Sequence, residues 1–290
     1  LRLSAGYPST LYFRNTPALL NASKMPVYYW DGRFATGDLE SVVRDHLAEA
    51  HFMNIDGLLL VERLRQVTEY EAAFQQLYGG DASYGRVLNA LAAFLASLQT
   101  GPENPYLRFK AGDREALSPQ ARQGLELFNG KAGCASCHSG GLLSDGKMHA
   151  TGVPATGAVF ADPLRQITFR RFFKQFGVAE YASLRSDPGL FAITQQEADR
   201  GKFRTASLLE AARTAPYMHD GSIATLEDVV RFYIAGGGDG ASKDPLLRPL
   251  NLTDEDAAAL AAFLKSLASA ALPMETETSP PYGVRPLGSN

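Results

Sequence analysis

Residues 134–138 read Cys-Ala-Ser-Cys-His, and no other five positions constrain this chain as much. Two cysteines separated by two residues, with a histidine directly after the second, form the attachment pattern of a c-type haem. The two thioethers grip the porphyrin edge and set the adjacent imidazole beneath the iron as proximal ligand. These are the only two cysteines in 290 residues, too few for a disulfide framework. A disulfide between them would be strained over so short a loop. A thioredoxin-like redox pair would need a βαβ surround and would leave His138 without a task. A fold built on Cys134, Cys137 and His138 must therefore wrap a large, flat, apolar group. Attachment of this kind is made on the outer side of the bacterial inner membrane, so a periplasmic address is expected.

The second constraint is a repeat. Thr16 to Arg44 reads TPALLNASKMPVYYWDGRFATGDLESVVR, and Thr205 to Arg231 reads TASLLEAARTAPYMHDGSIATLEDVVR. With Gly37 and Asp38 extra in the first copy, they share a Leu-Leu pair, a Tyr, an Asp-Gly, an Ala-Thr and Leu-Glu-x-Val-Val-Arg. Each copy is followed by a like segment, LAAFLASL at 91–98 and LAAFLKSL at 260–267. The chain is a tandem pair of like domains. The second copy starts 71 positions after Cys134, and the equivalent point for the first copy falls before Leu1. Residues 1–105 are thus expected to be the back half of a first haem domain. Its own attachment motif either lies outside this sequence, which is the reading favoured here, or has been lost.

The coarse pattern is helical. Ser118-Pro119 opens a helix as N-cap and first-turn proline and runs to Phe128, just ahead of the haem motif. Thr253 starts another, with Asp254, Glu255 and Asp256 at its positive end. Its apolar face is Leu260, Phe263, Leu264 and Leu267. A helix before the motif and an apolar terminal helix well after it is the plan of a cytochrome c domain. The expected fold is therefore all-α, a pair of cytochrome c-like domains with long loops and little β structure. Its expected bounds are 1–105, 106–272 and an extended tail over 273–290. Residues 151–202 and the glycines at 236–240 are expected to be loops and short helices around the haem. A net charge of −3, from 28 basic and 31 acidic side chains, gives no case for nucleic acid. The longest apolar runs are too short to span a bilayer. No signal peptide opens the chain, so a mature or trimmed product is expected.

With these motifs the chain resembles the di-haem cytochrome c peroxidase family, and within it the MauG-like branch. The resemblance runs over residues 12–267 and rests on Arg14-Asn15-Thr16-Pro17, Trp30-Asp31-Gly32-Arg33, the haem motif, Thr151-Gly152-Val153-Pro154, and Thr214-Ala215-Pro216-Tyr217 leading into His219-Asp220-Gly221. It implies a first haem that meets hydrogen peroxide, a second that handles electrons, and a calcium ion and a tryptophan between them. Ordinary members place a methionine 14 residues beyond the His-Asp-Gly histidine as sixth iron ligand, and here that count from His219 reaches Tyr233. MauG-like proteins are similar in having tyrosine there. A phenolate is a hard, anionic ligand that favours ferric and higher states. Met218 is a rival ligand, and a core tyrosine is the plain alternative. His149 and His219 are expected to be structural. The resemblance implies Trp30 as an electron relay, and Asn15, Thr214 and Pro216 as calcium ligands of the oxygen type that this ion takes.

The departure is on the peroxide side. The family has a glutamate before a methionine as acid–base catalyst, and alignment on Met53-Asn54 puts Phe52 in that place. Nearby stand His46, Glu49 and His51, the candidate replacements. In the repeat, His46 falls opposite Tyr233, so it is expected to point to the first haem. It would serve there as a proton shuttle or cap that iron, unless it is a solvated helix histidine. The leading expectation is a MauG-like enzyme that uses peroxide to form a high-valent haem pair and oxidises a tryptophan of a partner protein at long range. The alternatives are ordinary peroxide reduction fed by a small cytochrome or cupredoxin, and a non-catalytic electron carrier.

Overall fold

The computed structural model describes residues 3, 5–6, 10–155, 157–240 and 242–270. The tail expected over 273–290 lies outside them. Eleven α-helices carry the described residues: α1 (Leu39–Ala48), α2 (Gly57–Arg65), α3 (Thr68–Tyr78), α4 (Tyr84–Ser97), α5 (Pro105–Lys110), α6 (Pro119–Asn129), α7 (Ala158–Ala161), α8 (Pro163–Gln175), α9 (Phe191–Thr194), α10 (Leu226–Ile234) and α11 (Asp254–Lys265). Two short antiparallel ribbons complete them, β1 (Val27–Tyr28) with β2 (Phe34–Ala35), and β3 (Met148–His149) with β4 (Phe203–Arg204). The fold is mostly helical with little sheet, as the sequence implies.

The two helices that frame the haem motif start where side-chain chemistry tells them to. Ser118 accepts a hydrogen bond from the Ala121 amide at 3.1 Å, with Pro119 in the first turn of α6. Thr253 and Asp256 cap α11 reciprocally, each side chain accepting from the other's backbone N–H at 3.1 Å. α11 buries Leu260, Phe263 and Leu264, with Leu267 buried just past its end, and Phe263 meets Phe128 of α6 edge-on at 5.1 Å. The helices touch through Gly124, where a Cβ would stand 2.6 Å from the Ala259 carbonyl carbon. Only a residue without a side chain permits that approach.

The duplication is repeated in three dimensions. Asn21 and Glu210 are equivalent, and both sit buried in the left-handed region at φ 60° and 64°. Asn21 N–H donates to Leu98 O at 2.8 Å, and Glu210 N–H to the equivalent Leu267 O at 2.9 Å. Their side chains then tie to Thr100 and to Ser269, again equivalent positions. Different residues make the same strap because each offers an acceptor to the same turn. The copies face one another reciprocally. Asn15 N–H donates to His219 O at 2.7 Å, and Arg204 N–H, its equivalent, donates to Trp30 O at 2.9 Å. Such an exchange is what a local two-fold relation produces.

One expectation is corrected. Residues 151–202 do not simply wrap the haem as loops and short helices: Asp162 caps the 13-residue α8, whose phenylalanines 169, 172 and 173 pack on Tyr12 and Phe13 of the first half. The alternation of Arg, Phe, Phe and Lys along α8 obscured an apolar face that only a partner from the other copy reveals. The copies differ in one further respect. Leu91 and Phe94 of α4 are 37% and 44% exposed, whereas the equivalent Leu260 and Phe263, under α6, are 4% and 0% exposed.

Candidate functional site

The haem motif follows α6 directly. Gly133 at φ 68° breaks the chain into a single 3-10 turn, Cys134–Ser136, and His138 N–H closes it by donating to Cys134 O at 2.9 Å. Both thiols are unpaired. Burial pushes the Cys134 thiol up to about 11, and Cys134 and Ala135 pack against the cluster of Phe128, Leu143, Leu209, Leu226 and Val230. His138 Nδ1 lies 2.9 Å from Leu143 O. A carbonyl can only accept, so Nδ1 carries the proton and Nε2 keeps the lone pair that iron needs. Two unpaired thiols, an oriented imidazole and an apolar wall fit a covalently held haem.

Tyr233 occupies the last turn of α10. Burial pushes its phenol up to about 12, and the thiols of Cys137 and Cys134 add to the shift. A hydrogen bond with Thr151 works in the opposite direction. The Thr151–Pro154 segment is held by Gly238 N–H, which donates to Thr151 O at 3.0 Å. Gly152, at φ 69°, meets the Gly238 backbone so closely that a Cβ would stand 2.6 Å from its carbonyl. His149 is bound on both sides, Nδ1 to Asp244 at 2.5 Å and Nε2 to Asp145 at 3.0 Å. His219 stacks on Phe203 at 3.8 Å. Met218 presents its carbonyl to the Asn15 amide at 3.4 Å.

At the junction, half-buried Trp30 donates its indole N–H to Asn15 O at 2.9 Å, while its own carbonyl accepts from Arg204. The structure thus places Trp30 between the copies. It also brings Asn15 to Pro216, with the Asn15 amide nitrogen 2.6 Å from Pro216 O. The Pro216 and Met218 carbonyl oxygens converge on this side chain, oxygens of the kind calcium takes, and the Asn15 amide would have to turn over to add its own. Thr214 is near in sequence, but its hydroxyl bonds Ala211 O at 3.0 Å, which leaves its carbonyl as the atom to contribute.

The Trp30-Asp31-Gly32-Arg33 segment also enters an ionic network that sequence reading missed. Arg14 bonds Asp31 at 2.5 Å and Asp187 at 2.6 Å, and Arg33 bonds Asp31 at 3.1 Å and Asp45 at 2.9 Å. Burial alone would raise the Asp31 carboxyl, but Arg14 and Arg33 outweigh it and hold it below the usual carboxylate range. Breaking such a buried pair costs about 3–5 kcal/mol. Asp187 lies 173 positions from Arg14 and has no motif around it. Arg204 was also missed. It donates to Tyr29 O at 3.2 Å, and burial lowers its guanidinium to about 10.

On the candidate peroxide side three rings form one slab. The rings of Tyr29, His46 and Phe52 are nearly parallel, with His46 4.4 Å from Phe52 and 5.2 Å from Tyr29. His51 stacks on Tyr12 at 5.3 Å, and burial, then Arg33, push it down to about 4. The buried His51 Nε2 has no hydrogen-bond partner among the described residues. Glu49 caps α1 and accepts from Phe52 N–H and Asn54 N–H through its backbone carbonyl.

Residues 1–115 match the family model described as di-haem cytochrome c peroxidase. Cytochrome-c peroxidase IdrP2 of Pseudomonas sp. (strain SCT) is 46% identical over 290 residues, covering 100% of this chain and 77% of that protein. Methylamine utilization protein MauG of Methylorubrum extorquens is 32% identical over 256 residues, 88% of this chain and 64% of that protein. Among solved structures, a MauG-like protein associated with microbial copper homeostasis superposes with a TM-score of 0.75 at 27% identity, over 93% of this chain and 79% of that one. With a relative this similar along its whole length, the chain belongs to the di-haem cytochrome c peroxidase family.

Proposed function

We propose that this haem peroxidase is a MauG-like enzyme that draws electrons at long range from a protein docked on its surface. When bound, the haems supply the two-electron reduction of hydrogen peroxide and store the oxidising equivalents. Cys134, Cys137 and His138 would hold the second haem, and Tyr233 would supply a further ligand to its iron. Trp30 relays charge between the halves, and His46 accepts the peroxide proton where the family's glutamate is replaced by Phe52. Glu49 and His51 flank that site, and His51, held neutral, shapes it without carrying charge. Calcium on Asn15, Thr214 and Pro216 stitches the halves together. The exposed Leu91 and Phe94 face of α4 is the counterpart of the α11 face that α6 covers. It supports two domains, 1–105 and 106–272, and a further helix and haem motif belonging to the first. No helix among the described residues is long and apolar enough to cross a membrane, and haem attachment supports the periplasm.

The observation that carries this reading is Tyr233 in the last turn of α10, the helix whose Leu226 and Val230 share an apolar cluster with Cys134 and Ala135. It supports a partner tryptophan as the electron donor, because a hard anionic ligand favours the oxidised states such a reaction needs. The name of the 46%-identical relative supports a second reading, peroxide reduction fed by a small redox protein. Tyr233→Met separates the two. The exchange is expected to raise the reduction potential of the His138 haem and to shift turnover toward a cytochrome or cupredoxin donor. An unchanged potential and absorption spectrum would remove Tyr233 from the iron.

A further inference from the structure

The last turn of α1 carries a hydrogen-bond chain whose direction is fixed. Tyr29 Oη lies 2.7 Å from Asp45 Oδ2 and 2.7 Å from His46 Nδ1, and the same Nδ1 lies 3.1 Å from Val42 O. Asp45 is also paired with Arg33 at 2.9 Å, and the Arg33 guanidinium lies 3.6 Å over the Tyr29 ring. Tyr29 has one hydroxyl hydrogen. Burial, and then the Asp45 carboxylate, hold its phenol well above the ordinary range, so that hydrogen is present and goes to the carboxylate. The Tyr29 oxygen then faces His46 with a lone pair, and the Val42 carbonyl has nothing but lone pairs. Both of these neighbours are acceptors, so Nδ1 must carry the ring proton.

We propose that Tyr29 and Asp45 are positioning residues for His46, locking its imidazole as the Nδ1–H tautomer so that Nε2 is left as the proton acceptor on the first half's haem side. The side it faces follows from the repeat, since His46 in α1 occupies the place of Tyr233 in α10. Phe52, stacked at 4.4 Å with an interplanar angle of 12°, prevents the ring from turning. The phenyl group at the expected glutamate position thus clamps the base that replaces the glutamate. The inference rests on the reading of His46 as the peroxide-side proton acceptor, and its test separates the two.

Hydrogen cyanide must give up its proton to bind ferric iron as the anion, so its association rate reports the acceptor without turnover. The rate is followed across pH by stopped flow on the full-length, haem-loaded protein. Charged and titratable groups around His46 are Asp45 on its own helix, Arg33 and Tyr29 from the β1–β2 turn, and His51 beyond the helix end. His46→Gln is expected to slow association on the order of 10²-fold. Tyr29→Phe is expected to slow it roughly tenfold and to move the acid limb to lower pH, because the imidazolium loses its carboxylate-backed acceptor. Adding Asp45→Asn to Tyr29→Phe should then slow it little further, since Asp45 acts through Tyr29. Unaltered rates in His46→Gln would end the reading of His46 itself. A slow His46→Gln beside a Tyr29→Phe with the parent rate and pH limb would overturn the positioning role alone. Should Tyr29→Phe not accumulate, the 15N signals of His46 in the histidine-labelled parent decide: protonation at Nδ1 is required, and protonation at Nε2 refutes the proposal.

Discussion

Gly124→Ala should invert the usual effect of that exchange. In a helix interior, alanine for glycine stabilises by about 1 kcal/mol, because glycine loses more backbone freedom on folding. At Gly124 the new Cβ would stand 2.6 Å from the Ala259 carbonyl carbon and 2.8 Å from Phe263 Cβ. Both distances are well inside van der Waals contact, and the obstacle is backbone, which cannot rotate away. α6 and α11 must separate, which lifts Phe263 off Phe128. Overpacking that moves backbone costs about 3 kcal/mol, and setting the propensity gain against it leaves a net loss of about 2 kcal/mol. The assay is urea unfolding of the haem-loaded protein, with a lower midpoint expected at an unchanged m-value. Gly85→Ala, exposed in the first turn of α4 with nothing within 4 Å of the new Cβ, is the control and should stabilise. If Gly124→Ala stabilised as much as Gly85→Ala, the helix crossing described here would be wrong.

Trp30→Phe keeps a ring at the junction but removes the indole N–H bonded to Asn15 O, a loss of about 1 kcal/mol. Partner oxidation is expected to fall much further than stability does, and undiminished oxidation in single-turnover kinetics would remove Trp30 from the relay. Calcium chelation should lower the melting temperature. Restoring calcium at a hundredfold excess over Kd should recover about 2.7 kcal/mol, and Asn15→Ala should abolish the response to both treatments. His51 is held neutral, from an ordinary 6.5 to about 4, so the unfolded chain binds its proton first as the pH falls. Stability is therefore lost between pH 6.5 and about 4, and His51→Phe should flatten that loss in urea midpoints measured across the window.

The parts of this fold legible in the sequence are those set by local chemistry. Ser118-Pro119 and Thr253 announce their helices because a cap is read from adjacent residues. The repeat is legible because the side chains facing each half's core recur in order. What escaped was long-range and chemically unlike. Asn21 and Glu210 do one job with different side chains, and α8 hides its apolar face among arginines until Tyr12 and Phe13 cover it. Asp187 joins Arg14 from 173 positions away. In the candidate site, the haem motif could be named from spacing, Tyr233 and Trp30 from the family resemblance, and His46 from the repeat. The orientation of His46 could not, because it depends on a phenol 17 residues earlier whose hydrogen points to Asp45.

The proposed chemistry depends most on two haems acting as one electronic unit across the Trp30 junction. The direct measurement is the haem content of the intact full-length protein, followed by near-infrared absorption as peroxide is titrated in. Two haems per chain, with a new near-infrared band saturating at one peroxide, is the result expected. A single haem, or two that answer peroxide with no such band, would contradict it.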